Sequence, residues 1–129
     1  MKASTREWVT KAEGDFFLAA NTMKSRSRLV SDGVCFHCQQ CIEKYFKARL
    51  LEAGISSPKT HDLSDLLILL LPIEPLWAPW APTLNRLSYY AVQFRYPGST
   101  ASRADARKAL KNCRAIRKEA RLSLGLPAK

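Results

Sequence analysis

The run Ser31-Asp32-Gly33-Val34-Cys35-Phe36-His37-Cys38-Gln39-Gln40-Cys41-Ile42-Glu43-Lys44-Tyr45-Phe46-Lys47-Ala48-Arg49-Leu50-Leu51-Glu52-Ala53 decides the fold class of this chain. Val34, Cys38, Cys41, Ile42, Tyr45 and Ala48 recur at steps of three and four, so on a helix they share one face. His37, Gln40, Lys44 and Lys47 fall on another side. Ser31 or Asp32 can cap the start, and Gly54 suits the left-handed position beyond the end. One long amphipathic helix over 31–53 is predicted.

Working outward from it, the same period recurs. Upstream, Trp8, Ala12, Phe16, Ala19 and Met23 form an apolar stripe. Ser4-Thr5-Arg6-Glu7 reads as a capping box that starts this first helix at Ser4. Lys24 to Arg28 is polar and reads as a loop. Downstream, Ser56-Ser57-Pro58 break the pattern, and a third helix is predicted over 60–71 with Thr60 as its cap. Pro72, Pro75, Pro79 and Pro82 punctuate a tryptophan-containing loop. A fourth helix is predicted over 83–94 and ends at Arg95-Tyr96-Pro97-Gly98, because proline disfavours helix in the residue before it. The last helix starts near Ser102, with Asp105 three residues on. Ala106, Ala109, Leu110, Cys113, Ile116, Ala120 and Leu124 make its apolar face, and Arg103, Arg107, Lys111, Arg114, Lys118 and Arg121 its basic one. No segment alternates as a strand does. The expectation is an all-α, up-and-down bundle of about five helices, one domain over 1–129 with its core at about 4–124.

The bulk composition agrees. The chain has 129 residues, 47% of them hydrophobic, enough for a core of ordinary size. It carries 21 Lys and Arg against 11 Asp and Glu, a formal net charge of +10, which draws anionic partners or serves solubility. The longest apolar run, Leu66 to Leu71, is stopped by Pro72, far short of the roughly 20 residues of a membrane span. The opening Met1-Lys2-Ala3-Ser4 lacks a signal-peptide core, so a cytoplasmic location is expected. Three of the four cysteines, Cys35, Cys38 and Cys41, lie on the predicted second helix, with Cys113 on the last. Reduced, buried thiols are expected rather than zinc ligands, because a second knuckle from a separate element is missing. No metal or cofactor is expected.

Three motifs in the chain resemble a known family. Gln39-Gln40-Cys41-Ile42-Glu43-Lys44-Tyr45-Phe46-Lys47-Ala48 is similar to the Gln-Gln-x-x-Glu-Lys-x-x-Lys-Ala core of HEPN domains. Thr60-His61-Asp62-Leu63 resembles the opening of that family's third helix, and Arg95-Tyr96-Pro97 the signature after its fourth. Trp8 with Ala12 and Asp15 also fits. The matches span Trp8 to about Ala120. The resemblance implies a helical bundle that pairs as a homodimer. It also implies a role near a nucleotide, a nucleic acid or a nucleotidyltransferase partner.

Many HEPN proteins are metal-independent RNases with an Arg followed, after four to six residues, by a His. Arginine steadies the phosphate while histidine shuttles a proton near neutral pH. This chain departs from that pattern. Its two histidines are His37 and His61; Arg28 is too far upstream of the first, and no arginine lies at the right distance before the second. The expectation is a non-catalytic protein that binds a nucleotide or nucleic-acid phosphate and acts as an accessory or toxin–antitoxin subunit of a nucleotidyltransferase. The candidate residues are Arg95, Tyr96, His61, Lys44, Lys47 and Gln40. Arg95, held by Tyr96-Pro97, presents a planar fork suited to phosphate. His61 opens the third helix, whose free N–H groups attract anions. Lys44 and Lys47, beside Gln40, would line a basic groove with Arg95. Two alternatives stay open: an RNase with a non-standard site built on Arg95 and His61, and an interaction module recognising partners through Trp77 and Trp80.

Overall fold

The computed structural model describes all 129 residues. Five α-helices make up the chain: α1 (Ala3–Thr22), α2 (Ser31–Glu52), α3 (Leu63–Leu70), α4 (Ala81–Gln93) and α5 (Arg103–Ser123). Short 3₁₀ turns at Arg28–Val30 and Pro75–Trp80 precede α2 and α4. There is no strand, as the all-α reading required.

The long helix α2 is the axis of the bundle. It packs along α1 and α5 and also meets α3 and α4. Its whole predicted apolar face is buried, from Val34 through Ala48, and joins Leu63, Leu66, Leu70, Leu84 and Ile116 in one core. At its end Gly54 takes φ +74°, a conformation that disfavours any residue with a Cβ. This lets the Ile55 N–H return to the Leu50 carbonyl at 2.9 Å and close the helix.

The cysteines are core residues. All four are buried and unpaired by disulfides. Burial, with Asp105 and Asp32 nearby, pushes the Cys35 thiol up to about 12. Hydrogen bonds to Cys113 and burial push the Cys38 and Cys41 thiols up as well. Neutral thiols of this kind behave as small hydrophobes.

Three caps differ from the sequence reading. Helix α1 begins at Ala3, not at a Ser4 cap; its N-cap is Lys2, without a side-chain bond. The start is anchored instead by Glu52, which accepts from the Lys2 N–H at 3.0 Å and the Thr5 hydroxyl at 2.9 Å. At α2, neither Ser31 nor Asp32 caps. Asp32 accepts from the Ala101 N–H at 2.6 Å and so ties α2 to the segment before α5. Helix α3 starts at Leu63 rather than Thr60, with Asp62 as cap. The Ser102–Asp105 capping box of α5 is formed as expected.

The proline-rich segment closes one end of the bundle. Trp77 is buried, and Phe46, Trp77 and Trp80 stack with centroid distances of 5.0–6.4 Å. Stacked rings of this size contribute both apolar area and pairwise attraction.

Candidate functional site

The polar residues of α2 divide between two flanks. On the flank facing α1, the buried Asp15 accepts from Lys44 Nζ at 2.5 Å and lies 2.8 Å from His37 Nδ1. On the same side, Glu13 accepts from Arg117 at 2.6 and 2.7 Å, and from the Tyr45 hydroxyl. Burial works against the charged form of Glu13, yet the bonds from Arg117 and Tyr45 outweigh it and hold the carboxyl below its ordinary value. Burial and the bond to Glu13 push the Tyr45 hydroxyl up. This flank is a closed ion-pair network.

The other flank opens onto a cleft of about 630 Å³. Helix α2 supplies Phe36, Gln39 and Gln40; the segment before α3 supplies His61 and Asp62; α4 supplies Asn85, Ser88, Tyr89 and Val92, and Arg95 follows it. The size suits a small organic ligand. Its floor is fixed by internal hydrogen bonds. Gln39 Nε2 donates to the His61 carbonyl at 2.8 Å, and the Ser88 hydroxyl accepts from the Leu63 N–H at 2.9 Å. Gln40 in turn donates to Gln39 at 2.7 Å.

Two side chains able to meet an anion stand at this cleft. Arg95 is exposed and makes no ion pair or side-chain hydrogen bond; its guanidinium lies 5.9 Å from the Phe36 ring centroid. It is not paired with a carboxylate, and its side chain does not cap α4. His61 is held from behind: its Nδ1 is 3.1 Å from both oxygens of the buried Glu43, while the side chain is 81% exposed. With Nδ1 engaged, Nε2 is the ring nitrogen left for a ligand. Asp62 is the one carboxylate among the lining residues, and it accepts from the Ser64 N–H at 2.8 Å.

Of the sequence candidates, Arg95, His61 and Gln40 share this cleft. Tyr96 lies in an adjoining shallow depression with Pro97, Gly98 and Ser99, which Arg95 also borders. Lys44 and Lys47 do not form the expected groove with Arg95. Lys44 turns to Asp15, and Lys47 donates to Glu43 at 3.0 Å and lies over Trp8. Three of the N–H groups at the start of α3 are also taken: Asp62 N–H by the Thr60 hydroxyl, Leu63 by Ser88, Ser64 by Asp62. No group of three or more His, Cys, Asp or Glu side chains is arranged to hold a metal ion, and no helix is long and apolar enough to cross a membrane.

Sequence reasoning missed the α4 wall. Asn85, Ser88, Tyr89 and Val92 follow the spacing of one helix face, but they read as cleft residues only once α4 is known to lie across Phe36 and Gln40. Glu43 as the support of His61 was equally hidden, because eighteen positions separate them.

Comparison with known proteins fits this architecture. No curated protein sequence matches the chain. Among solved structures, TT1696 from Thermus thermophilus superposes with a TM-score of 0.79 at 20% identity, over 95% of this chain and 99% of that one. That likeness concerns the fold. The family model described as the HEPN domain matches residues 5–122, nearly the whole bundle, and the chain therefore belongs to the HEPN domain family.

Proposed function

We propose that this is a non-catalytic HEPN protein that binds a nucleotide, free or at the end of a nucleic acid, in the cleft between α2 and α4. The observation that carries the reading is the unpaired Arg95 guanidinium beside an aromatic-walled cleft. A fork with no carboxylate partner is suited to bidentate phosphate contact. Phe36 and Tyr89 offer faces against which a base can lie. Gln40 and Asn85 offer amides for its edge, and Asp62 can accept from a ribose hydroxyl, away from the phosphate. A wider role beside a nucleotidyltransferase, as an accessory or toxin–antitoxin homodimer, rests on family membership.

Calorimetric titration with ATP at low and physiological salt tests the site. Saturable binding that Arg95→Ala weakens by roughly 10- to 100-fold is the expected result. Absence of heat at both salts removes the nucleotide reading.

A second reading has one observation in its favour. Glu43 behind His61 is the arrangement that fixes a histidine's tautomer and orients it for proton transfer. With Arg95 at the same cleft, the parts of a metal-independent phosphodiester cleavage are present, although the family's Arg-to-His spacing is missing. RNA cleavage lost in both His61→Ala and Glu43→Gln would support it; cleavage surviving His61→Ala would end it. The interaction-module reading loses its main anchor, since Trp77 is packed inside.

A further inference from the structure

Helix α5 carries eight Lys and Arg against two carboxylates, a net of +6 out of the chain's +10. Two sets stand out among these cations. Arg103, Arg117 and Arg121 are used internally: Arg103 donates to the Ser25 and Met23 carbonyls, and Arg117 and Arg121 pair with Glu13. Arg107, Lys111, Arg114 and Lys118 are exposed and have no carboxylate or hydrogen-bond partner. Lys108 is exposed too, but stands about 100° round from Arg107.

The second set is geometrically ordered. At 100° per residue its four positions fall within an arc of about 60°, and at 1.5 Å per residue they extend over about 16 Å of helix. The opposite face of α5 is buried against α2, so the stripe points outward on a rigid element. Asp105 is consumed in the capping box, and Glu119 sits about 100° round from Lys118. The neighbours of the stripe on the helix are the small Ala104 and Ala115, and the nearby Phe16 ring of α1 lies under the Arg114 guanidinium at 6.0 Å.

We infer that the outer face of α5 is a second binding surface, one that contacts the sugar–phosphate backbone of nucleic acid without reading its sequence. Four cations in a line neutralise successive phosphates and release their counterions, and backbone contacts of this kind position a nucleic acid without specifying it. This surface does not depend on the α2–α4 cleft.

The test is fluorescence anisotropy of a labelled short DNA duplex and a labelled single-stranded RNA over a salt series. Four contacts predict a slope of log K against log salt of about −3.6 for the duplex and about −2.8 for the single strand. Comparison of the two slopes identifies which backbone lies on α5. The combined variant Arg107→Gln, Lys111→Gln, Arg114→Gln, Lys118→Gln keeps good helix formers at exposed sites. It should bring the slope close to zero. Lys111→Gln alone should reduce it by about one, whatever the sequence of the probe. Lys59→Gln, which removes an exposed, unpaired cation away from α5, should leave the slope unchanged. A full slope in the fourfold variant, a loss of slope in Lys59→Gln equal to that in Lys111→Gln, or a wild-type chain that binds neither probe or binds without salt dependence would each overturn the inference.

Discussion

The two histidines make the same contact in different surroundings. Each places Nδ1 about 3 Å from a carboxylate of another segment, His37 on Asp15 and His61 on Glu43. His37 sits in a network shared with Lys44, on the flank where α1 closes over α2. His61 stands largely in solvent, at the cleft that α4 leaves open. A carboxylate–histidine contact is therefore a structural clamp on one flank of α2 and a presented group on the other. Each carboxylate also holds a lysine, Lys44 on Asp15 and Lys47 on Glu43, so what separates the two contacts is the exposure of His61 and the unpaired Arg95 at the same cleft.

Breaking the closed flank should cost the most stability. Asp15→Ala leaves Lys44 and His37 without their acceptor. The expected loss is about 2–3 kcal/mol in urea unfolding, below that of a fully buried pair because both partners keep some contact with water. Glu13→Gln sharpens the same point through pH. Its carboxyl is held below the ordinary 4.5 in the folded chain. The stabilisation from its charge is therefore complete above that value and disappears as pH falls through the lowered folded value. The variant should be less stable than wild type by about 1 kcal/mol at neutral pH, with the gap closing in acid. An equal gap at pH 7 and pH 3 would show that the charge is not the source.

The open flank should behave oppositely. Arg95→Ala removes a side chain with no internal partner, so melting should shift by no more than about 0.5 kcal/mol equivalent. Its effect should appear in nucleotide affinity, as a loss of roughly 10- to 100-fold, the usual worth of a hydrogen bond to a charged group. Lys44→Ala should show the reverse pattern: a measurable loss of stability and unchanged affinity.

The same contrast marks what the sequence could reveal. The α2 face from Val34 to Ala48 was legible because burial follows the helical period, which neighbouring elements do not alter. The basic face of α5 was legible for the same reason, and its Ser102–Asp105 cap because both partners lie within one turn. Ser4 and Thr60 failed as caps because distant or alternative groups reached the helix starts: Glu52 took the first, Asp62 the second. Lys44 and Lys47 looked like ligand residues because a motif names residue types and not their partners; Asp15, twenty-nine positions away, takes the first of them. Arg95, His61 and Gln40 could be named from the chain, but their meeting in one cleft depends on where α4 crosses α2.

The most direct test of the two-flank account is a nitrogen–proton NMR titration with ATP that observes side-chain amide, arginine and histidine signals. The account predicts shifts at Gln40, Asn85, His61 and Arg95, with His37 and the Arg117 guanidinium unmoved. Shifts concentrated on His37 and Arg117, with the cleft signals unchanged, would contradict it.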